Sequence, residues 1–100
     1  MDYQVGLSDS ARKDLRDIIR YISLDAPDRA LEFGKFLISK TKLLAKFPEM
    51  GRVVPEFADP SVREIIVRSY RVIYRVNHAH QKVEVARFWH GARDHPEVNL

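Results

Sequence analysis

The chain has 100 residues, which suits one compact domain and leaves no room for two. It contains no cysteine, so disulfides, thiolate chemistry and cysteine-held zinc are excluded, and a small domain without such staples fits a reducing cytoplasm. The 17 Lys and Arg outweigh the 14 Asp and Glu for a net charge of +3, and the arginines beyond residue 50 run from Arg52 to Arg93, a basic face suited to phosphates or to the acidic side chains of a protein partner.

The start, Met1–Ser10, lacks the basic-then-apolar order of a signal peptide. No apolar run approaches the ~20 residues of a membrane span, so no membrane association is expected. Tyr3–Leu7 reads as a short strand by the alternation of Tyr3, Val5 and Leu7. Ser8 is placed as the N-cap of a first helix, with Asp9 in its first turn. Ala11, Leu15, Ile18, Ile19 and Ile22 form that helix's apolar stripe. Arg12, Lys13, Arg16, Asp17 and Arg20 form a solvated face on which Lys13 and Asp17 pair at i,i+4.

Asp25-Ala26-Pro27-Asp28 breaks the chain and restarts it, with Asp25 or Ala26 as cap. A second helix then carries Ala30, Phe33, Leu37, Thr41 and Leu44 and ends before Pro48. The short break between the helices predicts an antiparallel hairpin. Pro48–Pro60 reads as a loop, long enough to be functional.

Three strands follow: Val62–Val67, Tyr70–Val76 and Val83–His90. In the last, Val83, Val85, Arg87 and Trp89 share one phase. The connections Arg68-Ser69 and Asn77–Gln81 predict an antiparallel meander, and the tail Asp94–Leu100 reads as loosely held. The expected fold class is α+β, in the order β-α-α-β-β-β, as a single domain over residues 1–100. A helical hairpin would cover one face of a four-stranded antiparallel sheet, with the first strand at an edge. Tyr74 and Trp89 are expected in the core beneath the helices, and Tyr70 nearer the surface.

Element order and motifs together resemble the RelE/ParE toxin superfamily. The motifs are Leu7-Ser8-x-x-Ala11, Pro48-x-x-Gly51-Arg52 with Pro55-Glu56, Val62-Arg63-Glu64, Tyr70-Arg71-Val72-Ile73-Tyr74-Arg75-Val76, and Arg87-x-x-His90-Gly91-Ala92-Arg93-Asp94. The resemblance covers nearly the whole chain. It implies a cytoplasmic growth inhibitor of a type II toxin–antitoxin system, neutralised by a cognate antitoxin encoded beside it. That antitoxin is expected to be ParD-like and acidic, and DNA would be met only through it.

The superfamily divides by target. ParE-like members, associated with plasmid stabilisation, poison DNA gyrase without catalysis, whereas RelE-like members cut messenger RNA on the ribosome. The His90–Asp94 ending resembles the ParE branch, and no tyrosine follows Tyr74 to match the late catalytic Tyr of RelE-like nucleases. A third reading is a non-toxic binding module or co-repressor.

Metal-independent RNA cleavage needs a base, a cation on the phosphorane and an acid. Glu56 is the candidate base, Arg52, Arg63 and Arg87 are candidate phosphate clamps, and His90 is the candidate acid. Each has a structural alternative: Glu56 paired with Arg52, Arg63 and Glu64 as strand residues facing water or a partner, Arg87 packed along its stem, His90 hydrogen-bonded to a neighbour. For a gyrase poison, the expected target-contacting residues are Arg87, His90, Arg93, Arg52 and Tyr70. His78 and His80 read as turn residues and His95 as part of the tail. No histidine pair has helical ligand spacing, so no metal and no cofactor is expected.

Overall fold

A computed structural model describes residues 2–92 and Pro96. The chain runs β1 (Gln4–Leu7), α1 (Asp9–Ser23), α2 (Pro27–Lys42), a 3-10 turn (Leu43–Ala45), β2 (Arg52–Val53), β3 (Val62–Val67), β4 (Tyr70–Asn77) and β5 (Lys82–His90). Ser8 caps α1 as expected, its hydroxyl accepting the Ala11 N–H at 3.0 Å. Lys13 and Asp17 meet at 3.0 Å on the solvated face. Ala26 caps α2 without a side-chain hydrogen bond, since its methyl offers no acceptor, and Pro27 in the first turn removes one of the N–H groups left to satisfy. The hairpin closes tightly at Gly34, where a Cβ would stand 2.7 Å from Ile19 Cδ1.

The sheet has five strands rather than four, in the order β1-β5-β4-β3-β2. The extra strand, β2, lies inside the expected loop. Two residues are too few to show a period in the sequence, and Arg52 and Val53 become a strand only because Glu64 and Arg63 stand opposite them. The sheet is also mixed. β2 through β5 pair antiparallel, whereas β1 lies at the edge parallel to β5, with Val5 opposite Val83.

One irregularity changes which residues face the helices. Ile73 stands opposite Arg87 but Tyr74 opposite Val85, so Ala86 is an extra residue in β5. Before it, Val83 and Val85 face the helices. After it, Phe88 faces them instead, and Arg87 and Trp89 turn to the other side. Trp89 therefore does not lie beneath the helices with Tyr74, and Val83, Val85, Arg87 and Trp89 do not share one face. A bulge reverses the phase, and alternation read from sequence has no means of seeing it.

The core is consequently divided. Beneath α1 and α2 lie Ala11, Leu37, Leu44, Val72, Tyr74, Val85 and Phe88. On the opposite face Val54, Val62, Ile73 and Trp89, with Phe57, make a smaller cluster under the loop that follows β2. No helix among the described residues is long and apolar enough to cross a membrane.

Candidate functional site

The helix-free face of the sheet carries a chain of alternating charges. In β3, Val62, Glu64 and Ile66 share that face, and Glu64 is buried at 1% exposure. A buried carboxylate among apolar neighbours needs counter-charge. It receives it from two strands, Arg52 Nε and Arg71 Nε each lying 2.6 Å from one of its oxygens. Arg71 then reaches the loop, where its two terminal nitrogens hold both oxygens of Glu56 at 2.7 and 2.8 Å. These bonds to Glu56, and then to Glu64, raise the Arg71 pKa above its ordinary value.

The network borders a cleft of about 680 Å³ at the end of the sheet, lined by Arg52, Glu56, Ile66, Tyr70, Arg71 and His90 among others. The cleft sits where the β3–β4 turn meets the end of β5, and there the Gly91 N–H donates to the Ser69 carbonyl at 2.7 Å.

The residues named from sequence are placed as follows. Glu56 and Arg52 lie in the same network but do not pair with each other: Arg71 takes Glu56 and Glu64 takes Arg52. Arg63 points to the helix side and donates to the carbonyls of Gly51, at 2.9 Å, and Glu49, at 3.5 Å, which fastens the turn before β2. Arg87 forms a two-pronged pair with Asp14 of α1 at 2.7 and 2.9 Å, and its guanidinium lies 4.8 Å from the Trp89 ring centroid. His90 and Tyr70 stand opposite each other on the helix side with rings edge to face at 5.1 Å, and Phe33 packs on Tyr70 at 5.7 Å. Partial burial raises the Tyr70 pKa. Arg93, like His95, lies outside the described residues.

Glu56 and Arg63 thus occupy opposite faces of the sheet, and Arg87 is tied to α1. Of the residues nominated for RNA cleavage, Glu56, Arg52 and His90 line the one cleft, whereas Arg63 and Arg87 are not among its lining residues. Both Glu56 oxygens are committed to Arg71, whereas a general base must reach a substrate proton.

Three residues of these networks were not singled out from sequence. Glu64 sits in phase with Val62 and Ile66, and a carboxylate in an apolar phase is a signal that a cation must come to it. Arg71 shares the phase of Ile73, which gives no indication of a pairing with Glu64. Asp14 lies 73 residues from Arg87, and nothing local connects them.

Among the described residues no group of three or more His, Asp or Glu could hold a metal ion. His78 is bonded through Nδ1 to the Tyr3 hydroxyl at 2.7 Å and through Nε2 to Glu49 at 2.8 Å, and the His80 N–H donates to Asn77.

Comparison with protein families matches residues 5–95 to the ParE toxin of the type II toxin–antitoxin system parDE. The chain belongs to the ParE toxin family. This ParE-family toxin is similar in fold to a chain of the chromosomal ParDE toxin–antitoxin system of P. aeruginosa, with TM-score 0.74 and 19% identity over 88% of this chain and 95% of that one. It is similar also to a chain of the toxin–antitoxin complex RelBE2 from Mycobacterium tuberculosis, with TM-score 0.61 and 21% identity over 90% and 99% of the two chains. A double-arginine mutant of E. coli toxin RelE in the free state gives TM-score 0.65 and 19% identity over 92% and 86%. Comparison with curated proteins gave no match. At these identities the solved structures establish the fold, and the family match establishes a toxin of a type II toxin–antitoxin system, which implies a cognate antitoxin as partner.

Proposed function

We propose that this ParE-family toxin acts in the cytoplasm by binding DNA gyrase, without catalysing a reaction itself, and that an acidic ParD-like antitoxin neutralises it. The observation that carries the reading is the separation of Arg63 and Arg87 from Glu56: Glu56 is held by Arg71 on one face, Arg63 is spent on the Gly51 carbonyl on the other, and Arg87 is bound to Asp14. The family match to ParE supports it as well. The site rather than the fold separates the two branches, because the same fold serves both.

The target-contacting surface in this reading is the end of the sheet around the cleft, with Arg52, Tyr70 and His90 as contact residues, and Arg93, outside the described residues, is proposed as a further contact. Arg87 serves as the strut that positions them. The competing reading, a ribosome-dependent RNase, draws on the exposed Arg52 beside the Glu56–Arg71 pair, which a substrate phosphate would have to displace.

The test is induced expression in bacteria with parallel readouts of messenger RNA integrity and of the DNA damage response, followed by a supercoiling assay with purified gyrase. Filamentation with intact messages and inhibited supercoiling is the expected result. Rapid message cleavage with intact DNA would assign the RNase activity instead, and no growth defect would leave a binding module or co-repressor.

A further inference from the structure

β2 is two residues long and covers β3 only at Arg63 and Glu64. The Val62 carbonyl accepts from Val54 on that same side, at 3.1 Å. Backbone groups alternate in direction along a strand, so the N–H and C=O of Ile66 point the same way as those of Val62 and Glu64. The register that sets Arg52 opposite Glu64 would set Met50 opposite Ile66, but the Met50 N–H is spent on the Phe47 carbonyl at 3.1 Å and the chain turns away. Among the described residues no strand stands beside Ile66 on that outer side, β4 pairing with it only on the other.

Ile66 is exposed at 59% at this break, and Phe47 and Met50, in the turn where the chain leaves, are exposed at 58% and 50%. An open edge with an apolar residue on it is a template for another strand, and proteins normally blunt such edges. On the helix side of the same edge, cations gather. The Arg68 guanidinium lies 4.8 Å and the Lys40 ammonium 5.2 Å from the centroid of the Phe36 ring. These cations favour an acidic partner over a second copy of this chain, whose own edge carries the same cations.

We propose that the open edge of β3 at Ile66 is a strand-addition site for an extended segment of a protein partner in which apolar and acidic residues alternate. Alternation sends the apolar side chains to the face of Ile66 and the acidic ones to Arg68 and Lys40. The site stands whether the toxin's target is gyrase or messenger RNA.

The probe is a capped octapeptide of alternating Val and Glu, compared with its Val–Lys counterpart, and the readout is titration with amide hydrogen exchange. The Val–Glu peptide is expected to bind, to slow exchange of the Ile66 N–H and to weaken with added salt. Ile66→Pro removes that one N–H, a change an edge position tolerates, and Arg68→Glu reverses the charge. Each is expected to weaken binding by about tenfold or more while circular dichroism stays that of the parent. Should the proline variant not fold, Ile66 exchange in the unmodified toxin decides. Equal binding of the Val–Lys peptide, protection elsewhere than at Ile66, no binding, or dimerisation through this edge without peptide would overturn the proposal.

Discussion

The Asp14 carboxylate receives both the Arg87 guanidinium, at 2.7 and 2.9 Å, and the Phe88 backbone N–H, at 3.1 Å. β1 ends opposite Val85, so the outer edge of β5 lies bare beyond that point. Ser8 serves the first step, its N–H bonding the Val85 carbonyl and its hydroxyl the Ala86 carbonyl, and Asp14 serves the next. The first turns of α1 thereby continue, with side chains, the ladder that β1 leaves off. Asp14 and Arg87 are largely buried, at 12% and 18% side-chain exposure. Asp14→Ala strands a cation and a backbone donor together, and a loss of about 3 kcal/mol in urea unfolding is expected. Asp14→Asn keeps an acceptor for the Phe88 N–H and should cost clearly less. Equal losses for the two variants would contradict the edge-capping role.

Glu64 is the anchor of the charge network on the bare face. Glu64→Gln leaves Arg52 and Arg71 facing a neutral, fully buried amide, and a destabilisation of about 3 kcal/mol is expected. Arg52→Ala should cost under about 1 kcal/mol, because its side chain is 63% exposed and solvent screens the pair. Denaturation midpoints of the two variants give the comparison, and the order Glu64 over Arg52 is the outcome to check.

Tyr74 holds the turn before β2 by accepting the buried Gly51 N–H at 2.9 Å. Burial raises the phenol's pKa, with the Gly51 bond opposing it. Below about pH 10 the phenol is protonated in both the folded and the unfolded chain, so it adds no pH dependence there. Above that value the unfolded chain ionises first, and stability falls as pH rises. Tyr74→Phe should cost roughly 1–2 kcal/mol at neutral pH, for the orphaned N–H, and should make the alkaline loss shallower. Unfolding curves from pH 8 to 11 measure both effects.

Gly51 is fixed for a steric reason. A Cβ there would collide with the Glu64 carbonyl oxygen and approach the Tyr74 hydroxyl to 2.7 Å. Both neighbours are committed, one to the β2–β3 ladder and one to the turn. Gly51→Ala is expected to lower stability by about 2 kcal/mol or more and to loosen β2 first. Faster amide exchange at Arg52 and Val53 than in the core strands would show it.

For function, the informative variant is His90→Ala with Arg93→Ala. His90 is exposed, and its Nδ1 accepts the nearby Ala92 N–H at 3.1 Å. The double variant is expected to keep the parent's unfolding midpoint and to lose toxicity on induction. Arg87→Ala would lose toxicity through destabilisation instead, so it does not test contact. A folded, fully toxic double variant would remove the end of β5 from the target surface.

Local chemistry accounts for what was readable along the chain. Ser8 capping, the Ala11–Ile22 stripe and the alternations of Tyr70–Val76 depend on neighbours a few residues away, so the helices, the long strands and the family resemblance follow from the sequence alone. The candidate site did not follow in the same way. The pairing of Glu56 with Arg52 suggested by the sequence does not form, because their partners, Arg71 and Glu64, come from other strands.

The α+β order and the resemblance to the RelE/ParE superfamily are legible in the sequence alone, because periodicity, caps and turn residues act over short spans. Only the tertiary structure decided the parallel pairing of β1 with β5, the existence of β2, the bulge at Ala86 that sends Trp89 to the far face, and which carboxylate each arginine meets. These depend on contacts between residues far apart in the chain, such as Asp14 and Arg87, and on one inserted residue that reverses a strand's phase. No local pattern carries that information, because it is fixed only when the strands are laid side by side.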